Sequence, residues 1–419
     1  MADGARDGET SLALRLLKYL APAVDSDDDA TATERNVAFS PLCIHASLSL
    51  LAAGARGATQ AQLLNFLGAP SASEAAAFGR RVADSVLAAK PPCKAGDPRV
   101  LFGGGVWVDA SCGRIKKAFR DVAAEFYKYE ARTVSFAKEP EKAVEKINTW
   151  VNEATLSSTY YLNKFNIISL DGVSTATDIV LADAARFQAE WNVPFSSKST
   201  AAANFHRLDG SCVTAQFMRH VRRHQLSCVD GFKVLKLPYK NDVFSTAAAT
   251  RSPGASDTRY SMSVFLPDKK DGLSTVVDVI TAAPGYFYSV LPRSDTVTKL
   301  VSVKLPKFKI SFKRDLESDL RCLGLSLPFS PEVADLRDVC EKDYDGRPTI
   351  LSKVTHSVVV KVSEAGTDDY SVSKAMPFRA GDEQPDMVEF VADHPFTFVI
   401  MEERSGVIVF AGHVLDPTK

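Results

Sequence analysis

The segment NVAFSPLCIHASLSLLAAGARGAT, residues 36–59, decides most of the fold. Its central part, residues 41–54, is apolar on nearly every side and closes on Gly54. A helix that is apolar all round lies in the interior of a protein, and glycine commonly terminates helices. The segment therefore predicts a buried helix at residues 41–54.

With 419 residues, the chain is long enough for one large domain or two to three ordinary ones.

Further helices and strands follow on both sides of this segment. Residues 11–20 and residues 141–151 each carry apolar side chains on one face, which predicts two amphipathic helices. Apolar-rich runs between polar turns predict strands. These runs cover residues 99–109, 177–191, 300–311 and 354–362, and a closing hairpin of residues 396–401 and 407–410. Helices dominate the first third of the chain and strands the last, so the sequence predicts the α+β class.

The run at residues 300–311 has an irregular pattern. Val301, Val303 and Leu305 alternate as in a half-buried strand, but the alternation slips by one position at Pro306 and resumes at Phe308. Proline in a strand usually marks a bulge or an edge. The slip therefore predicts a bulge or bend within one long strand.

Composition and charge argue against several classes of protein. Hydrophobic residues make up 45% of the chain and charged residues 24%, as is usual for a globular protein. The formal net charge of -1 argues against a nucleic-acid partner, because such a partner requires a basic excess. No run of 18 apolar residues occurs, so we expect no membrane-spanning helix and no membrane partner.

The N-terminal residues and the cysteines indicate where in the cell the protein is expected. The first ten residues are polar and acidic, unlike the basic start and apolar run of a secretory signal. The seven cysteines are scattered, odd in number and without a Cys-x-x-Cys pair, which favours a reducing compartment. We therefore expect a cytoplasmic or nucleocytoplasmic location, with an extracellular one left open.

Motifs for catalysis and metal binding are weak. His220 and His224 are four residues apart and could share a helix face as metal ligands, but neighbouring arginines would repel a cation, so a solvated basic turn is favoured. Gly103, Gly104 and Gly105 lack the spacing of a dinucleotide-binding loop and indicate close packing inside a strand. No P-loop, His-Glu-x-x-His or Gly-x-Ser-x-Gly motif occurs. We predict no catalytic residue, no metal and no cofactor.

Two segments have the composition or the length of unusual loops. Residues 241–258 are rich in Ala, Ser, Thr, Gly and Asp, which predicts a flexible insertion. Residues 366–385 lie between a predicted strand and the closing hairpin. A structureless loop of this length in a compact domain is usually functional or disordered.

A series of motifs resembles the serpin family. Residues 36–68 resemble the second serpin helix and its flanks, and residues 147–155 resemble the helix that crosses the main serpin sheet. Further matches are Phe187 and Trp191 in a central strand, residues 305–308, residues 329–331, residues 390–396 and residues 412–414. The matches fall in the family's order over about 380 residues, and the sequence FVADHPF at 390–396 is typical of plant serpins.

The resemblance implies one domain over residues 1–419, with three β-sheets, about nine helices and an exposed reactive-centre loop at residues 366–385. In inhibitory serpins a serine or cysteine protease cuts this loop. The loop then inserts as an extra strand into the main sheet and distorts the attached protease. A protease bound at the loop is therefore the expected partner.

The position of the scissile bond follows from the family's spacing. Residues 364–381 read EAGTDDYSVSKAMPFRAG, and the spacing puts the bond between Ala380 and Gly381. A loop shorter by one residue would put it between Arg379 and Ala380. The two positions would attract different enzymes, because Arg379 suits a trypsin-like protease and Ala380 an elastase-like one.

The hinge of the loop departs from the family pattern. Gly366 and Thr367 match the usual hinge, but the next residues are Asp368 and Asp369. Side chains alternate along a strand, so an inserted strand must turn one of these carboxylates toward the core, and the family's parity selects Asp369. An unpaired buried carboxylate is costly, and aspartate is disfavoured in strands. Tyr370 stands where the family has a small residue and would have to pass beneath the crossing helix.

A control cluster beneath the loop also departs from the family. Ser40, Cys43, Asp183 and His356 fall where serpins have Ser, Ser, Asn and His residues that govern opening of the main sheet. Because Asp183 replaces an amide, one expectation is an ion pair with a protonated His356. Drift without a selected function is the other. A further family pair, at the top of the sheet, matches Glu364 and Lys307.

Three functions remain open at this point. The first is a serpin fold that no longer inhibits and acts as a binding or storage protein or is a relic, and the loop composition favours it. The second is a suicide inhibitor of a trypsin-like, elastase-like or cysteine protease. The third is a reversible inhibitor that docks its loop without insertion. In each case we expect a monomer that is not an enzyme.

Overall fold

The computed structural model describes residues 3–22, 35–87, 98–155, 166–240, 259–293, 295–341, 347–367 and 387–419. The predicted insertion at 241–258 lies outside the described residues. The predicted loop is described only at its first two residues, Gly366 and Thr367.

The described residues contain nine α-helices, in agreement with the expected number. They are α1 Asp3–Tyr19, α2 Pro41–Gly54, α3 Gly57–Phe66, α4 Ala72–Val82, α5 Lys117–Val122, α6 Pro140–Thr155, α7 Leu273–Ile280, α8 Pro284–Val290 and α9 Glu317–Cys322. The predicted buried helix is confirmed as α2. The two predicted amphipathic helices are confirmed within α1 and α6.

The described strands form two sheets. They are β1 Val37–Phe39, β2 Arg99–Asp109, β3 Glu130–Val134, β4 Ile179–Glu190, β5 Ala201–His206, β6 Cys212–Val229, β7 Phe232–Pro238, β8 Tyr260–Pro267, β9 Thr298–Pro306, β10 Phe308–Asp315, β11 Leu351–Val362, β12 Gly366–Thr367, β13 Val388–Val391, β14 Phe396–Glu402 and β15 Val407–Val414. One sheet has the order β10-β11-β12-β4-β2-β3. The other has the order β1-β15-β14-β8-β7-β6-β9-β13, with β5 also paired to β6. The long strand β6 thus joins two parts of the second sheet into one continuous nine-stranded network.

Helix α2 lies between the two sheets. Every residue of α2 except Ala53 is buried, as its all-round apolar sequence requires. Leu42 belongs to an apolar cluster with Phe187 of the six-stranded sheet and Phe410 of the nine-stranded sheet. The helix begins where the Ser40 hydroxyl accepts a hydrogen bond of 3.3 Å from the Cys43 amide. Ser40 and Cys43 are therefore fixed in the centre of the molecule.

The predicted long strand at residues 300–311 is wrong in one respect, because it is two strands in different sheets. Strand β9 ends at Pro306 and pairs with β6, whereas β10 begins at Phe308 and pairs with β11. Lys307 between them donates its amide to the Gln216 carbonyl, 2.8 Å away. The slip in alternation marks the point at which the chain leaves one sheet and enters the other.

Helix α6 crosses the outer face of the six-stranded sheet, and the glycine run of β2 lies beneath it. Trp150 of α6 packs edge to face on Trp107 of β2, with ring centroids 5.4 Å apart. A Cβ at Gly103 would lie 2.8 Å from the Ala154 Cβ of α6. On the other face, a Cβ at Gly104 would lie 2.5 Å from Cζ of Tyr129. The run permits close packing on both faces of the strand, as its sequence indicates.

Replacing Gly104 tests this close packing. Gly104→Ala should lower the free energy of unfolding by about 1–3 kcal/mol, because the new methyl group must displace the rings of Tyr129 and Phe102. Urea-induced unfolding measures the change. Gly285→Ala is the matched control, since a Cβ there meets no atom within 4 Å and the residue lies in helix α8. A neutral Gly104→Ala variant would contradict the packing.

Two fully buried histidines, His45 and His413, predict how stability depends on pH. Burial lowers the pKa of each to about 4, against about 6.5 in an unfolded chain. The unfolded chain therefore takes up protons first on acidification, and stability falls as pH drops from about 6.5 toward about 4. At pH 5 the loss should be about 2 kcal/mol for each histidine. Urea unfolding at pH 7 and pH 5 measures it, and His413→Gln should reduce the difference.

Candidate functional site

The described start of the predicted loop is a short strand between two strands of the six-stranded sheet. In β12, Thr367 lies opposite Val362 of β11 and opposite Ala189 of β4, antiparallel to both. Below β12, strands β11 and β4 pair directly with each other in parallel. We call this line of direct pairing the seam. Any further strand continuing from β12 would have to separate β11 from β4 along the seam.

Thr367 is anchored by its side chain on the inner face of the sheet. It is fully buried, and its hydroxyl lies 2.7 Å from the hydroxyl of Tyr239. The Tyr239 ring is stacked on Trp191, with centroids 4.5 Å apart and planes 12° apart. Burial raises the pKa of Tyr239, so its phenol keeps its proton and one of the two hydroxyls donates to the other.

The backbone that leads into β12 is held by amide and indole donors. The Trp191 amide donates to the Ala365 carbonyl at 2.8 Å, and the Trp191 indole N–H donates to the Ser363 carbonyl at 3.0 Å. The Phe195 amide donates to the Glu364 carbonyl at 2.9 Å. Residues 363–365 are therefore fixed to the segment that follows β4.

The expected pair of Glu364 and Lys307 lies at this end of the sheet. The Lys307 Nζ is 2.9 Å from Oε2 of Glu364, and the Thr200 hydroxyl donates to Oε1 at 2.8 Å. Burial raises the pKa of Glu364, but hydrogen bonds from Lys307, the backbone and Thr200 together leave it below its ordinary value. The carboxylate is therefore charged at neutral pH and ties the hinge to the linker between β9 and β10.

The structure brings the four residues of the expected control cluster together beneath the seam. Asp183 of β4 and His356 of β11 lie side by side in the register of the parallel strands. Their side chains are fully buried, and Nδ1 of His356 is hydrogen-bonded to Oδ1 of Asp183. The amide of Ser40 donates to Nε2 of His356 at 2.9 Å, and Cys43 follows one helical turn later.

The hydrogen-bond directions indicate the protonation of His356. Nε2 faces a backbone N–H, so it is the acceptor and the imidazole proton lies on Nδ1, which donates to Asp183. A doubly protonated ring would set two donors against each other at Ser40. The geometry therefore disfavours the protonated His356 of the expected ion pair.

The Asp183 carboxyl group is only half satisfied within the described part of the chain. Its Oδ2 is buried and lacks a hydrogen-bond partner there. Burial, and next the charge of Asp183, raise the pKa of Cys43 well above its ordinary value, so this thiol stays protonated. The cluster thus holds a buried acid at the point where β11 and β4 must part.

His220 and His224 are placed differently from both expectations. They lie on strand β6 and not on a helix or a solvated turn, and their Nε2 atoms are 2.8 Å apart. The His220 ring is stacked on Phe195, with centroids 4.1 Å apart. Burial lowers the pKa of His220 to about 3 and that of His224 to about 4, so both rings are neutral at neutral pH. The solvated basic turn is therefore wrong: the pair packs against the segment that holds the hinge.

Several predicted site residues lie outside the described residues. They are Asp368, Asp369 and Tyr370 of the hinge and Arg379, Ala380 and Gly381 at the expected scissile bond. In the ranges that the structure does describe, no group of three or more His, Cys, Asp or Glu residues could hold a metal ion. Those ranges also contain no helix long and apolar enough to span a membrane.

Tyr239 and Thr200 hold the hinge, yet the sequence contains no motif that marks them. Tyr239 follows strand β7, and its partner Thr367 is 128 residues further along the chain. Thr200 lies 164 residues before Glu364. Contacts of this kind depend on the packing of the finished fold, and a single sequence does not reveal them.

Comparisons with known proteins agree with the fold. A family model described as serpin (serine protease inhibitor) matches residues 8–417. Serpin-ZXA of Oryza sativa subsp. japonica is 38% identical over 98% of this chain and 96% of its own length. Serpin-Z2A of the same organism is 36% identical over 100% of this chain and 99% of its own length. The solved structure of Arabidopsis AtSerpin1 in its native stressed conformation is 30% identical, with a TM-score of 0.83 over 100% of this chain and 99% of that one.

A double-mutant cycle tests the anchor of β12. Tyr239→Phe should lower the free energy of unfolding by about 1–2 kcal/mol, because it leaves the buried Thr367 hydroxyl without a partner. Thr367→Val removes that hydroxyl as well, so the double variant should lose less than the sum of the two single variants. Urea unfolding measures all three. Tyr286→Phe, at an exposed tyrosine, is the control. Additive losses would contradict a direct bond between the hydroxyls.

Proposed function

The chain belongs to the serpin family, and we propose that it is a non-inhibitory or strongly impaired member because its loop hinge is degenerate. One observation carries this proposal. Thr367 faces the core at the start of the strand that a cut loop would extend, so an acidic residue two positions later would face the core as well.

The register of β12 indicates where Asp369 would lie in the sheet if the strand continued. Each step along an antiparallel strand moves the partner by one residue in the opposite direction. Thr367 pairs with Ala189 and Val362, so a strand continued in the same register would bring Asp369 between Phe187 and Val360. Both of these side chains are fully buried. Asp369 would thus enter an apolar layer in which these two neighbours offer its carboxylate no hydrogen bond.

The energy involved is large enough to decide between insertion and hydrolysis. An unpaired carboxylate in a protein interior costs several kcal/mol, whether it stays charged or takes up a proton. A serpin inhibits only if insertion is faster than release of the protease from the cut loop. A barrier raised by about 3 kcal/mol slows insertion more than 100-fold. A protease would then cut the loop and leave, as with an ordinary substrate.

The buried acid beneath the seam adds to the same barrier. Continued in the same register, the strand would reach Asp183 and His356 at position 373, six residues after Thr367. These two side chains are in direct contact, and the hydrogen bond between them must break before a strand passes. Asp183 already has one unpartnered buried oxygen among the described residues, so breaking the contact would leave its carboxyl group with neither of its oxygens bonded.

The alternative is an active suicide inhibitor of a trypsin-like, elastase-like or cysteine protease. It is favoured by the intact top of the sheet, where Glu364, Thr367 and Trp191 hold the hinge in place. It is also favoured by the likeness to a serpin solved in a native stressed conformation. In this alternative, Asp369 finds a partner after insertion.

We also propose a reducing compartment as the place of action. Among the described cysteines, Cys212, Cys228 and Cys322 are exposed free thiols. Exposed unpaired thiols suit a cytoplasmic or nucleocytoplasmic setting, in which disulfides rarely persist.

Thermal unfolding before and after loop cleavage tests the proposal. After the loop is nicked by a mild protease, the unfolding temperature of the native sequence should not rise, because the cut loop stays outside the sheet. Asp369→Ala should restore a large rise after nicking. Asp368→Ala is the matched control, since its side chain would point to the opposite face and should restore nothing.

An inhibition assay completes the test. Incubation with a trypsin-like protease should give a cut loop and no covalent complex that survives denaturing electrophoresis. A rise in the unfolding temperature of the nicked native sequence, together with such a complex, would overturn the proposal in favour of the suicide inhibitor. Inhibition that reverses on dilution would indicate a loop that docks without insertion.

A further inference from the structure

A cysteine and a histidine face each other on a hairpin of the nine-stranded sheet. Strands β5 and β6 are joined by residues 207–211, and the register pairs His206 with Cys212. Partner residues in an antiparallel pair project their side chains to the same face. The Sγ of Cys212 accordingly lies 3.1 Å from Nδ1 of His206. This cluster lies outside the seam and plays no part in the proposed function.

A lysine fixes which ring nitrogen of His206 carries the proton. The Nζ of Lys270 lies 3.0 Å from Nε2 of His206. An ammonium group donates hydrogen bonds and accepts none, so Nε2 is the acceptor and the proton lies on Nδ1. The Nδ1–H therefore points to the sulfur of Cys212. The backbone of His206 is also held, because its amide donates to the Asp393 carbonyl at 2.8 Å.

The other described cysteines provide a comparison within the same chain. Cys43, Cys112 and Cys340 are buried, whereas Cys212, Cys228 and Cys322 are exposed. Cys228 has the Lys299 ammonium at 3.8 Å, and Cys322 is hydrogen-bonded to the Tyr19 hydroxyl. Among the exposed cysteines of the described ranges, Cys212 has an imidazole nitrogen against its sulfur and an ammonium group against the other nitrogen of that ring.

We propose that Cys212 is a modification site that undergoes thiol–disulfide exchange with low-molecular-weight disulfides. The thiolate is the nucleophile in this reaction, and an N–H donor aimed at the sulfur stabilises it, as in other cysteine–histidine pairs. Cys212 sulfur attacks one sulfur of the disulfide, a new S–S bond forms and the original S–S bond breaks. The departing sulfur takes the electron pair and then a proton from water, so Cys212 is oxidised and one small thiol is released.

Site-resolved labelling of the reduced full-length chain tests the proposal. The chain is mixed with oxidised glutathione and quenched at intervals, and the mixed disulfide at each cysteine is quantified by peptide mass spectrometry. Cys212 should react about tenfold faster than Cys228 and Cys322. His206→Leu should reduce Cys212 to the rate of Cys228, while the rates at Cys228 and Cys322 stay unchanged and report that the fold is intact.

A second reagent separates activation of the sulfur from attraction of an anion. Oxidised glutathione is negatively charged, and Lys270 would attract it without changing the thiol. With the neutral bis(2-hydroxyethyl) disulfide, Cys212 should still react faster than Cys228 and Cys322. Lys270→Met should lower the reaction rate of Cys212 with this reagent. Equal rates at the three exposed cysteines with the neutral reagent, or an unchanged rate in His206→Leu, would overturn the proposal.

Discussion

The direct pairing of β11 with β4 is the constraint on which the rest of the structure depends. Two parallel strands that close a sheet leave no space for a third, and the described part of β12, residues 366–367, lies between them at one end. Helix α2 packs below this seam, and helix α6 crosses above it. Because both faces are covered, the strands can separate only if neighbouring elements move with them. The closed sheet is therefore held by packing on both faces as well as by its own hydrogen bonds.

Two groups of polar side chains lie where the strands must separate. At the open end, Thr367 and Tyr239 share a hydrogen bond, and Glu364 is charged and neutralised by Lys307. Halfway down the seam, Asp183 and His356 are in contact with an amide of the buried helix. The first group is fully satisfied, whereas the second retains an unpartnered oxygen within the described chain. The first cluster stabilises the open end, where β12 lies between β11 and β4, and the second concentrates electrostatic cost at the centre of the sheet.

Sequence reasoning succeeds for features that are local or repeated along the chain. The all-round apolar pattern of residues 41–54 locates α2 because no other placement buries such a helix, and apolar-rich runs between polar turns locate β2, β4, β11, β14 and β15. It fails where the outcome depends on distant partners. The slip at Pro306 indicates a bend, but the pattern alone does not reveal that Phe308 enters another sheet. His220 and His224 look solvated beside arginines until Phe195 supplies a stacking surface from elsewhere in the chain. Asp183 and His356 could be identified by their resemblance to family positions. The position of the proton on His356, however, follows only from the contacts of its ring with Ser40 and Asp183.

The placement of the last two strands has a consequence for synthesis on the ribosome. Strand β15 lies between β1 and β14, and β14 lies between β15 and β8, so residues 396–414 complete the centre of the nine-stranded sheet. Until these residues leave the ribosome, β1 and β8 each expose an unpaired edge, and the nascent chain has an open sheet that can pair with another chain. This half of the molecule therefore cannot close before residues 396–414 have been synthesised. The interval between synthesis of β8 and closure of the sheet is when a chaperone would protect it most.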